Sequence, residues 1–105
     1  MNIDEMQANA KQAADFLKGL ANSHRLMILC QLVDGEKSVS ELIEATQIAQ
    51  TSMSQHLSKL KQEGLVSFRR EHRTLYYSIA HEAVVEIMQV MYRSFCQDDG
   101  GSHCG

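Results

Sequence analysis

At Gly64 the spacing of apolar residues changes from threes and fours to twos, which points to a helical body carrying a β-hairpin. Upstream, Met53, Leu57 and Leu60 fall at i, i+4 and i+7, one face of a helix that begins at Thr51. Gly64 stands where a helix end favours a left-handed residue. Downstream, Val66 and Phe68 alternate with Ser67 and Arg69, and Leu75, Tyr77 and Ile79 alternate with Thr74, Tyr76 and Ser78. The charged run Arg70-Glu71-His72-Arg73 lies between them, so the pattern predicts two strands around a charged tip.

Helical periodicity fills the rest. Met6, Ala10, Ala13, Ala14, Leu17 and Leu20 predict a first helix over roughly 4–20. Asn22 or Ser23 can cap a second, with Leu26, Leu29, Cys30 and Val33 on its apolar side and Asp34-Gly35 as its stop. Ser38 with Glu41 has capping-box spacing, Ser40 is an equally good cap, and a short third helix runs to about Thr46. A fifth spans Glu82 to Cys96, with Val84, Ile87, Met88, Met91 and Phe95 on one face. The expected fold is mainly α (α+β): a winged helix-turn-helix of five helices with a two-stranded β-hairpin wing. Residues 1–97 read as one domain and residues 98–105 as a flexible tail.

The chain has 105 residues, about one domain's worth, with no proline, and 44% hydrophobic against 22% charged residues is ordinary globular usage. The longest apolar run, Leu26 to Cys30, is far short of the roughly 18 residues of a membrane span, and the start lacks a secretory pattern. A cytoplasmic location with no membrane partner is expected, and the three cysteines are then reduced by default. Net charge is −3, but it is unevenly placed. Residues 51–75 hold five Lys/Arg against two Asp/Glu, a local +3 between acidic flanks. For anion binding the local field outweighs the total.

Two short helices and a hairpin in that order place the second helix of the pair where it can enter a DNA major groove, about 12 Å wide. Its candidate reading residues are Gln50, Thr51, Ser52, Ser54, Gln55 and His56. Glutamine can bond adenine through two contacts, and hydroxyls serve as donor or acceptor. Lys59 and Lys61, with Arg69, Arg70, His72 and Arg73 of the wing, suit phosphates, which position a protein without reading sequence. The bland alternative is a solvated helix face beside a hairpin kept soluble by its charge. A short-chained face nearly free of carboxylates, an arginine-rich tip, and their shared positive segment weigh against it.

Asn22-Ser23-His24-Arg25-Leu26-Met27-Ile28-Leu29, Ser38-Val39-Ser40-Glu41-Leu42, Ser54-Gln55-His56-Leu57-Ser58-Lys59-Leu60 and Glu63-Gly64-Leu65-Val66 resemble the ArsR-type bacterial repressors, over roughly residues 10–96. The resemblance implies a cytoplasmic homodimer joined through its first and last helices, with two recognition helices on palindromic double-stranded operator DNA. A last helix as apolar as 82–96 independently calls for a partner surface.

The metal-sensing relatives carry cysteines on the third helix or histidines and carboxylates on the last. Residues 38–46 contain no cysteine, residues 82–96 contain no histidine, and no metal or cofactor is expected. The placement of Cys30 and Cys96 is similar to that in the HlyU, SqrR and BigR subgroup, which responds to persulfides and related reactive sulfur species. The resemblance implies a reversible disulfide or polysulfide bridge between them that shifts the DNA-binding heads. A disulfide needs Cα atoms within about 7 Å, and each inserted sulfur adds roughly 2 Å of reach, so separation could select for sulfur insertion.

Blander roles stay open. Cys30 suits a small core residue, and Cys96 lies at a helix end whose dipole opposes a thiolate, with Arg93 one turn earlier. His24 reads as a surface residue, His81 as a neighbour of the last helix's cap, and the methionines as gap-fillers. Cys104 beside His103 is either incidental or an adventitious metal and thiol-exchange site. The rivals are an enzyme, for which no phosphate loop or paired carboxylates speak, a metal-responsive repressor using Cys96, His103 and Cys104, and a repressor with no sulfur sensing.

Overall fold

The computed structural model describes residues 1–96. The elements are α1 (Ile3–Leu20), α2 (Ser23–Val33), β1 (Lys37–Ser38), α3 (Val39–Thr46), α4 (Gln50–Gln62), β2 (Val66–Glu71), β3 (Thr74–Ile79) and α5 (Glu82–Phe95). All five helices stand where periodicity places them, with ends shifted by a residue. The expected division at 97/98, and the tail with His103 and Cys104, lie outside the described residues.

Local hydrogen bonds explain the starts. The Asn2 side chain accepts from the Asp4 and Glu5 amides at 2.8 and 3.3 Å, and Asn22 accepts from Arg25 at 3.1 Å. Ser38 and Glu41 form the reciprocal capping box, at 3.1 and 2.8 Å. His81 is itself the cap of α5, its Nδ1 accepting from the Ala83 amide at 3.2 Å. No side chain caps α4, whose opening Thr51-Ser52 is also a poor helix former. Tertiary burial of Met53, Leu57 and Leu60 on its inner face supplies what propensity lacks, at about 1.5–3 kcal/mol per side chain.

The turn between α3 and α4 is tight. Gln47 adopts the left-handed region, with φ 62°. The Thr46 hydroxyl donates to the Leu42 carbonyl at 2.7 Å and accepts from the Ile48 amide at 3.3 Å. Ile48 is buried, which pins the turn to the core.

The wing is larger than expected. The expected β2–β3 hairpin is present, and the short strand β1 joins it in a three-stranded antiparallel sheet of order β1-β3-β2. Gly35, at φ 135°, turns the chain out of α2 so that Lys37 and Ser38 run opposite Tyr77 and Tyr76 of β3. Two residues show no alternation, so this strand left no trace in the hydrophobic pattern. β2 and β3 pair from Val66↔Ile79 to Glu71↔Thr74, and His72 carries the positive φ, 58°, of the tip.

The core gathers Ile28, Leu29 and Leu32 of α2, Leu42 of α3, the inner face of α4, Tyr77 of β3, and Val84 and Met88 of α5. α1 stands largely apart, burying only Gly19 and Leu20. Ile3, Met6 and Leu17 on α1 are exposed, as are Val90, Met91, Tyr92 and Phe95 on α5.

Candidate nucleic-acid interface and thiol cleft

With Met53, Leu57 and Leu60 facing inward, helical geometry turns Thr51, Gln55, Ser58, Lys59 and Gln62 outward, and all five are exposed. Gln50 and Ser54 flank this face and are also exposed. Ser52 and His56 occupy the other flank and are half-buried. The His56 ring meets His24 of α2 edge-on, 5.5 Å between centroids. Burial, with the charges of Arg25 and His24, holds the His56 imidazole below its ordinary pKa and neutral at pH 7. This ring contact joins α2 to α4, which the polar run 50–56 did not disclose.

The cations divide similarly. Lys61 places its Nζ 5.2 Å from the ring centre of Phe68, bridging α4 to β2. Arg69 is fully engaged. Its Nε donates to both Glu36 carboxylate oxygens at 3.1 and 3.0 Å, Nη2 donates to Glu36 Oε1 at 2.6 Å, and Nη1 to Glu71 Oε2 at 2.7 Å. The guanidinium carbon lies 4.6 Å from the ring centre of Tyr76. Lys59, Arg70 and Arg73 form no ion pair among the described residues. Together with His72 they are exposed. Glu36 and Tyr76 carried no sequence signal for this role, because the partner of Arg69 is 33 residues away.

The two cysteines border one cleft of about 900 Å³. α2 contributes Cys30 and Gln31, with Asp34 at its end, α3 contributes Ala45 and Thr46, and α5 contributes Met88, Tyr92 and Arg93, with Cys96 at its end. Cys30 is a half-buried free thiol. Cys96 caps α5, its backbone N–H donating a hydrogen bond to the Tyr92 carbonyl at 2.8 Å, and is disulfide-bonded, so the two sulfurs share the cleft without being joined to each other. Burial, and next the Asp34 carboxylate, push the Cys30 thiol above its usual pKa. It is therefore mostly protonated at neutral pH, and its alkylation rate should keep rising beyond pH 9 before levelling. Asp34→Asn should speed Cys30 alkylation at pH 7.5, as followed by peptide mass mapping, and an unchanged rate would show that the carboxylate does not act on this sulfur.

Among the described residues no group of three or more His, Cys, Asp or Glu could hold a metal ion, and no helix is long and apolar enough to cross a membrane.

A sequence profile of the bacterial regulatory protein arsR family matches residues 22–67, from the start of α2 into β2. The transcriptional activator HlyU of Vibrio cholerae is 40% identical over 92% of this chain and 90% of its own length. A structure of that protein described as its reduced form has a TM-score of 0.83, covering 89% of this chain and 98% of its own. The transcriptional repressor BigR of Xylella fastidiosa is 34% identical, with a TM-score of 0.87 over 93% of this chain and 100% of that one. A homodimeric winged helix-turn-helix DNA-binding domain from Mycobacterium bovis is 38% identical, with a TM-score of 0.73 over 87% and 84% of the two chains. Fold, profile and near full-length identity converge: the chain belongs to the ArsR family of bacterial regulatory proteins and is a winged helix-turn-helix transcriptional regulator.

Proposed function

We propose that the protein is a homodimer that binds a palindromic operator, and that bridging of Cys30 and Cys96 by reactive sulfur species controls its grip. The observation that carries the regulatory part is the shared cleft. Its walls are α2, α5 and α3, and α3 is the first helix of the helix-turn-helix. Linking Cys30 on α2 to Cys96 at the end of α5 would draw together two walls of the cleft and alter the seat of the third.

The chemistry starts from the reduced protein. A thiolate attacks the outer sulfur of a persulfide donor, gains that sulfur and releases the donor as a thiolate. The second cysteine thiolate then attacks the cysteine-bound sulfur of the new persulfide and expels HS⁻, leaving a disulfide. If the second cysteine has itself become a persulfide anion, the same attack leaves one sulfur inserted. The raised pKa of Cys30 slows its own attack on the donor at neutral pH.

The uncovered apolar residues of α1 and α5 supply the dimer surface, as the homodimeric mycobacterial relative suggests. Two-fold symmetry would set the recognition helices about 34 Å apart, one DNA turn. Thr51 and Gln55 lie centrally on the outward face, with Gln50, Ser52 and Ser54 beside them, while Lys59, Arg70, His72 and Arg73 meet phosphates. Duplexes selected from random-sequence DNA by the wild-type protein should be palindromic. Gln55→Ala should lose preference at one base pair per half-site, at a cost of about 1–3 kcal/mol in competition titrations. Undiminished preference would move the reading face elsewhere on the protein.

A further inference from the structure

The outward face of the sheet holds a cluster that DNA contact does not explain. In register, Arg69 of β2 stands opposite Tyr76 of β3, and Tyr76 opposite Ser38 of β1, so the three form one row across the sheet. The Arg69 side chain crosses over the Tyr76 ring to reach Glu36, which immediately precedes β1. Its third nitrogen is taken by Glu71. A guanidinium between two carboxylates leaves the cluster with a local charge of −1, a poor landing place for a phosphate. Both anions hold the arginine charged far beyond neutral pH, and Arg69 in turn holds the Glu36 carboxyl below its usual range.

We propose that Arg69 is a positioning residue that staples the wing to the helix-turn-helix and is not a ligand of the DNA backbone. This rests on the reading of α4 and the wing as the DNA-binding surface. β1 is only two residues long, and its second residue, Ser38, is also the cap of α3. Two ladder pairs alone are a hinge. The planar fork of Arg69, fixed on Glu36 and lying over Tyr76, spans all three strands and makes the hinge stiff. The angle between the wing tip and α4 is then set before DNA arrives, so Arg70 and Arg73 reach phosphates while α4 sits in the groove.

The contrast with a phosphate contact is one of sign. A phosphate ligand restrained by Glu36 would bind DNA better once Glu36 is neutralised. A staple would lose its anchor, and binding would weaken although a repelling carboxylate has gone. Wild type, Glu36→Gln, Arg69→Gln and the double variant are titrated by fluorescence anisotropy against a labelled duplex selected by the wild-type protein, at several salt concentrations. Amide exchange of residues 70–74 is measured on the same proteins without DNA. The staple predicts that each single variant weakens binding about fivefold, the scale of a geometrically good exposed network. The double variant should be no worse than either, the salt slope unchanged, and wing exchange faster in all three. If Arg69→Gln alone weakens binding and lowers the slope by about one while Glu36→Gln binds as well or better, Arg69 is a phosphate ligand and the proposal fails. Unaltered affinity and exchange in both single variants also overturn it. A wild-type protein that selects no duplex refutes the DNA-binding surface instead, and wing exchange alone then decides whether the staple exists.

Discussion

Changing Arg70 and Arg73 together to alanine should lower affinity for every duplex, cognate or not, by about thirtyfold at 150 mM salt. Each phosphate neutralised in B-DNA releases counterions worth a slope of about 0.9 in log K against log salt, so two lost contacts lower the slope by about 1.8. The structure makes these two arginines the pertinent pair, since they flank the tip exposed and form no ion pair among the described residues. Because phosphates carry no base information, the ratio of cognate to random affinity should hardly move. A selective loss for the cognate duplex would mean that the wing reads bases. An unchanged slope would mean that it does not touch the backbone.

The second large effect concerns the thiols. In a Cys104→Ser background, so that only Cys30 and Cys96 remain, polysulfide treatment of reduced protein should change operator affinity by about ten- to a hundredfold, the usual span of allosteric coupling. Cys30→Ser or Cys96→Ser should each reduce that ratio to about one while leaving the affinity of reduced protein intact, because neither residue lies on α4 or the wing. Intact mass identifies the product. A disulfide removes two hydrogens, and an inserted sulfur adds its own mass to that change. Single variants that still respond fully would leave the shared cleft without a regulatory role. Bridging without any change in affinity would show that the link between α2 and α5 does not reach α3.

Helix count, order and approximate ends followed from spacing alone, which also narrowed the caps of α2 and α3 to Asn22 or Ser23 and to Ser38 or Ser40. The bonds that define them join residues three apart: Asn22 to Arg25 and Ser38 to Glu41. The inner face of α4 was legible for a related reason, since periodicity reports which side of a helix must leave water. The charged wing tip could be read as well, because a two-period pattern broken by a polar run has few other solutions.

The partnerships across elements were decided by tertiary structure. Lys37 and Ser38 become a strand only because Gly35 turns them beside β3. His56, a candidate reading residue, has His24 of α2 against its ring, and Arg69, a candidate phosphate contact, has Glu36 within 2.6 Å across the sheet. Cys30, on α2, and Cys96, at the end of α5, share a cleft because α2, α3 and α5 pack around one space. Amino-acid order encodes local geometry through bonds between near neighbours. Which distant charge, ring or sulfur completes a site depends on how whole elements pack, and that is set by burying all their apolar faces at once.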